Sequence, residues 1–259
     1  MTLLASAQAQ HLLVILGSST SAGTGATNYD SAYAGRYAKY LATLPAGWSQ
    51  TNLAVGGYTS YQLMRTGNVP LAGRAVPDTA HNVTKALSLR PDVILLALGS
   101  NDIGNAYAAS EYQNNYDSIR AVAVRAGVRV WITTGMPRNM DSTGRRKILN
   151  FRTWILSRYA PRAIDFFDTL GLADGSFNPN YNSGDGIHTN DRGHLSLYYR
   201  VVRANLTDLS TGLLAGIRPG SRGFRGGLVW DPRTRILSLG VAGSFARFDI
   251  QGRIRYGGL

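Results

Sequence analysis

The chain has 259 residues, 44% of them hydrophobic, which is enough to build a full core and excludes global disorder. It has no cysteine, which excludes disulfides, thiolate metal sites and a cysteine nucleophile, and it has no run of about 18 apolar residues that would span a membrane. The formal net charge of +12 invites a nucleic-acid reading, but eight arginines and two aspartates in residues 211–259 supply half of it, so nucleic-acid binding is not expected.

Residues 1–10, "MTLLASAQAQ", read either as the remnant of a secretory signal with a small-x-small site at Ala7-Gln8-Ala9 or as a frayed terminus. The apolar run "HLLVILG", 11–17, predicts a buried strand stopped by glycine. Residues 28–43 predict a helix with Asn28 or Asp30 at its start, and "QTNLAVGG", 50–57, a second strand. Residues 78–89 predict a helix capped by Asp78 or Thr79. "PDVILLALGSND", 91–102, is the clearest buried strand. A helix over 107–126, a strand over 128–134, a helix over 143–159 and a strand over 162–168 follow. The segment 171–190 is rich in Gly, Asn, Asp and Ser and reads as loop, and 191–206 as an amphipathic helix.

Alternating strands and helices predict an α/β fold, a three-layer sandwich around a central parallel sheet. In such folds sites form at the carboxyl ends of strands. Three strands end there in polar, glycine-rich turns: Gly17-Ser18-Ser19, Gly56-Gly57 and Gly99-Ser100-Asn101-Asp102. The expected organisation is a main α/β domain over 11–208, a Gly/Arg linker over 209–228 and a small β-rich or disordered tail over 229–259.

The stretch "LVILGSSTSAG", 13–23, holds Ser18, Ser19 and Ser21. A serine becomes reactive only beside a base, a group that orients the base, and donors for the developing oxyanion. Of the four histidines, His11 opens a strand at the wrong end, His81 falls early in a predicted helix, and His194 falls within the last one. His188 lies in "GDGIHTND", with Asp185 three residues before it. A carboxylate at that spacing in a tight loop reaches imidazole Nδ1 and leaves Nε2 free for a hydroxyl. Gly57, without a Cβ, lets its N–H approach an oxygen closely, and Asn101 offers a side-chain amide. The competing readings are a helix cap for Ser19, turn residues for Asn101 and Gly57, an Asx-turn for Asp185, and a metal site built from Asp185, His188, Asp191 and His194.

Together these blocks resemble the SGNH, or GDSL-like, esterase family over residues 11–206. "LGSSTSAG" resembles its nucleophile block, "NLAVGGYTS" its glycine block, "LGSNDIG" its G-x-N-D block and "DGIHTNDRGH" its D-x-x-H block. The resemblance implies a flavodoxin-like hydrolase fold, a catalytic Ser19-His188-Asp185 triad, an oxyanion hole of Ser19, Gly57 and Asn101, and no cofactor. One position departs from it: Ser18 stands where the family has Asp. An α/β-hydrolase would need Gly-x-Ser-x-Gly, and the residue two after Ser19 is Ser21.

The implied activity is hydrolysis of carboxylic esters, with short acyl or acetyl groups on carbohydrate as the leading substrates. The alternatives are a lysophospholipase, thioesterase or acyltransferase on the same fold, and a catalytically dead carbohydrate-binding scaffold. The substrate is a small-molecule or polysaccharide ester, and Tyr58, Ser100 and Ile187 are candidate pocket residues. Residues 231–259 weakly resemble a type IX secretion sorting domain, with Gly252-Arg253 in its hairpin motif and a degraded Asp231-Pro232. With the start of the chain, this points to a secreted or periplasmic protein.

Overall fold

A computed structural model describes residues 11–209 together with four strands, 228–231, 236–241, 244–248 and 254–255. The chain divides into two units, residues 1–212 and 213–259. The first carries a five-stranded parallel sheet of order β2-β1-β3-β4-β5, formed by His11–Gly17 (β1), Trp48–Asn52 (β2), Val93–Ala97 (β3), Arg129–Thr133 (β4) and Ala163–Ile164 (β5). β1 pairs with β2 from His11↔Trp48 to Ile15↔Asn52, and on its other edge with β3 from Leu13↔Val93 to Gly17↔Ala97.

The central strands are continuous apolar runs because helices cover both faces of the sheet. Alternate residues of one strand therefore enter different cores. Val14 and Leu16 join Ile94 and Leu96 under Val83–Ser88 (α3), Ala109–Arg125 (α5) and Ser142–Tyr159 (α6). Leu13 and Ile15 join Val93 and Leu95 under Tyr33–Ala42 (α2) and Asp191–Ala204 (α7). Two short helices, Ser19–Ala22 (α1) and Asn101–Gly104 (α4), sit at the carboxyl ends of β1 and β3. This is the three-layer α/β architecture read from the sequence.

Several boundaries differ from expectation, each for a local reason. The helix expected over 28–43 is a 3-10 turn at Tyr29–Ser31 followed by α2, because Asn28 caps the turn and Ala32 is extended. α3 begins at Val83, not Asp78, because the Asp78 carboxylate accepts from the Ala80 N–H, bonds the His81 ring and accepts the Tyr58 hydroxyl, which holds 78–81 in a turn and leaves Asn82 as the cap. His81 is thus in a turn before the helix. β2 begins at Trp48 and ends at Asn52, although Leu53 and Val55 still donate to Ile15 and Gly17 across the edge. The last core strand shrinks to Ala163–Ile164, because the Phe166 and Phe167 N–H groups turn to the Thr134 hydroxyl instead of a ladder carbonyl.

The second unit holds an antiparallel sheet of four strands in sequence order, Leu228–Asp231 (β6), Ile236–Val241 (β7), Ser244–Phe248 (β8) and Ile254–Arg255 (β9). Residues 1–10, the linker segment 210–227, Pro232 and the Gly252-Arg253 pair lie outside the described residues.

Candidate active site

The turn that carries the candidate nucleophile is built at the end of β1. Ser18 has extended backbone, Ser19 is the first residue of α1, and Gly23 closes α1 with φ of 99°. The first turn of a helix leaves its N–H groups without intrahelical acceptors, so the Ser19 amide is free to point at an anion. The three serines have different environments. Ser21 is fully buried, lies 2.6 Å from the Tyr33 hydroxyl and donates to the Ala97 carbonyl at 3.3 Å. Ser18 is 1% exposed, packed toward Gly99. Ser19 is the one whose Oγ meets a base, His188 Nε2, at 2.9 Å.

The base is held by its own loop. His188 Nδ1 lies 2.5 Å from Asp185 Oδ2. The other carboxylate oxygen, Oδ1, accepts the Ile187 and His188 N–H groups, each at 2.8 Å, and the Ser183 hydroxyl at 3.2 Å. Burial acts to raise the Asp185 carboxyl, but bonds from the His188 backbone and ring and the Ile187 N–H outweigh it and hold the acid well below its ordinary range. Asp185 therefore stays ionised and fixes Nδ1 as the protonated nitrogen. Gly25, with φ of 92°, backs this loop: a Cβ there would lie 2.2 Å from the Thr189 carbonyl and 3.1 Å from His188 Cβ.

The opposite side of Ser19 is made by two turns. Gly57 has φ of 81°, a conformation that favours glycine, and nothing lies within 4 Å of where its Cβ would be. Gly56 is close enough that a Cβ would come to 3.9 Å of Ser19 Cβ. Asn101 donates one amide hydrogen to the Tyr58 carbonyl at 2.9 Å, which ties β3's turn to the glycine turn and leaves its second hydrogen for a ligand.

A buried carboxylate welds these two turns. Asp102, 4% exposed, accepts the Ser60 N–H at 3.0 and 3.1 Å and the Ser60 hydroxyl at 2.6 Å, while Asn115 donates to Ser60 Oγ at 2.9 Å. Burial pushes the Asp102 carboxyl up to about 6, against the lowering pull of the Ser60 bonds. Asp102 lies too deep to touch an ester, and its bonds to Ser60 fix the turn that carries Asn101 against the glycine turn.

Residues 15–195 match the GDSL-like Lipase/Acylhydrolase family. The chain belongs to this family. It is thus a GDSL-type carboxylic ester hydrolase. A search of curated proteins returned no match. Among solved structures it is similar to a variant of Axe2, an acetyl xylan esterase from Geobacillus stearothermophilus, with 16% identity and a TM-score of 0.58 over 76% of this chain and 95% of that one. It is also similar to the psychrotrophic esterase EstA from Pseudoalteromonas sp., with 14% identity and a TM-score of 0.55 over 75% and 96%. A third is TesA, with 22% identity and a TM-score of 0.54 over 75% and 97%. At these identities the likeness speaks to the fold.

In this GDSL-family chain the other sequence candidates divide. Tyr58 lies beside Gly57, and its hydroxyl donates to Asp78. Burial, then that bond, pushes the Tyr58 hydroxyl up to about 12, so it stays a donor. Ser100 is 6% exposed and stands just before the short α4 without a side-chain capping bond, while Ile187 is half-buried next to His188. His194 is fully buried, accepts the Tyr33 N–H at Nδ1 and lies 3.2 Å from the Thr24 carbonyl through Nε2. Burial lowers it to about 4, so it is a neutral core residue. Asp191 receives the Thr27 N–H and hydroxyl at 2.8 and 2.6 Å, pinning the segment after α1 to the start of α7. Sequence reasoning missed the Thr27–Asp191 clasp and the Ser60–Asn115 partners of Asp102, because each joins residues far apart in the chain.

Proposed function

We propose that the protein hydrolyses short-chain acyl or acetyl esters of carbohydrate through a serine acyl-enzyme. The observation that carries this reading is the continuous chain Ser19 Oγ–His188 Nε2 at 2.9 Å and His188 Nδ1–Asp185 Oδ2 at 2.5 Å. In this mechanism Ser19 attacks the ester carbonyl, and His188 takes its proton and returns it to the departing alkoxide. Asp185 keeps the imidazole in the right tautomer and stabilises the imidazolium. The Ser19 and Gly57 amides and the Asn101 side chain hold the tetrahedral oxyanion. Water attacks the acyl-enzyme, giving its proton to His188. The bond from carbonyl carbon to Ser19 Oγ then breaks, and Ser19 recovers the proton.

The carbohydrate part rests on the polar rim. Tyr58 and His81 are bonded to Asp78, and Asn101 donates to the Tyr58 carbonyl, so polar groups gather beside the Gly57 turn, which suits sugar hydroxyls better than an alkyl chain. The acetyl xylan esterase named above shares this fold and is the precedent for such a substrate. The Ser18 substitution leaves the triad intact, which favours an active enzyme over a dead scaffold.

The test is hydrolysis of p-nitrophenyl acetate, butyrate and octanoate by the wild type and by Ser19→Ala. Turnover falling with chain length and abolished by the substitution is expected. Preference for octanoate moves the reading to a lipase or thioesterase. Equal rates for wild type and Ser19→Ala overturn the nucleophile.

A further inference from the structure

Arg138 lies in the segment that follows β4, at the same carboxyl edge of the sheet as Ser19 and Asn101. It is half-buried, yet it makes no hydrogen bond, ion pair or ring contact among the described residues. Its guanidinium lies against α4: a Cβ on Gly104 would come within 2.6 Å of Nη1 and 3.0 Å of Cζ, so any larger residue there would displace it. Gly104 is one helical turn from Asn101, about 5 Å along the axis. The next residue, Asn139, donates its N–H to the Gly186 carbonyl at 2.8 Å, between Asp185 and His188. Arg138 is therefore strung between the oxyanion turn and the acid-base loop.

Other arginines of this domain are neutralised. Arg145 pairs with Asp174, Arg152 with Asp165, and Arg200 with Asp168. The carboxylates around Arg138 are also taken: Asp141 caps α6 through Gly144, and Asp102 is bound to Ser60. A guanidinium offers five donors in a planar fork suited to carboxylate.

We propose that Arg138 binds a carboxylate on the substrate, making carboxylate-bearing esters, such as those of acidic sugars, the preferred class. The inference rests on the esterase reading above. It is tested with three esters: p-nitrophenyl acetate, 3-carboxy-4-nitrophenyl acetate, with the charge on the leaving group, and p-nitrophenyl hemisuccinate, with the charge on the acyl group. The readout is kcat/KM on each charged ester divided by that on the neutral one, for wild type, Arg138→Gln and Arg138→Lys.

The ratio should fall about 10- to 100-fold in Arg138→Gln for one charged ester, mostly through KM, with partial recovery in Arg138→Lys. Which ester responds identifies the half of the substrate that Arg138 reads. Ratios within twofold of wild type for both charged esters overturn the proposal while leaving the esterase reading in place. Absence of turnover on all three overturns both.

Discussion

Two aspartates flank the cleft from opposite sides, and their surroundings push them in opposite directions. Asp185 is close to half-exposed, accepts two backbone N–H groups and the imidazole, and is held ionised. Asp102 is nearly fully buried and pushed up to about 6. In the proposed mechanism the first sits on the loop that moves protons, and the second sits under the turns that receive negative charge. The difference shows how one residue type serves two ends. Near solvent with donors on both oxygens, a carboxylate works as a fixed charge; in the core it works as an anchor for backbone.

The proton-moving half should break hardest. Ser19→Ala is expected to lower kcat by about 10⁶-fold on p-nitrophenyl acetate and to abolish covalent labelling by a fluorophosphonate. Asp185→Asn should cost about 10⁴-fold in kcat with little change in KM, since the wrong tautomer is held in an intact site; a loss below tenfold would contradict its orienting role.

The oxyanion half should give smaller effects. Asn101→Ala is expected to lower kcat by about 10²- to 10³-fold, read by steady-state kinetics.

Asp102 sharpens the contrast through stability. Its folded value of about 6 stands above the unfolded value of about 3.9, so the native state holds the proton longer. This group's contribution therefore falls as pH rises from about 4 to about 6, by up to about 3 kcal/mol. Asp102→Asn should flatten that slope in urea titrations taken across the interval. For Asp185 the sign reverses: its depressed value lends stability above about pH 4 that is lost as the pH falls further. The smallest effect expected is a several-fold shift toward longer acyl chains in Tyr58→Ala, read from the p-nitrophenyl ester series; an unchanged profile removes Tyr58 from the substrate pocket.

Much of the site was legible because its parts are local. Asp185 and His188 are three residues apart, and their bond closes within one loop. Gly57 and Asn101 each follow an apolar segment, and parallel strands deliver such ends to one edge. Boundaries were less legible where a side chain competes with the backbone, as Asp78 does ahead of α3 and Thr134 does at β5.

The sequence by itself determined the α/β class, the two-faced burial of the central strands and the chemical types gathered at their ends, because periodicity and turn residues act over short range. The resemblance already implied Ser19, and the tertiary structure supplied the physical reason that Ser19, of the three serines, meets the histidine. Ser21 turns inward to Tyr33, and Ser19 alone reaches across 169 positions of chain to His188. It also decided that Asp102 is an anchor and that Arg138 has no polar or ring partner among the described residues. Burial and pairing depend on what the rest of the fold brings alongside, and no local pattern carries that information.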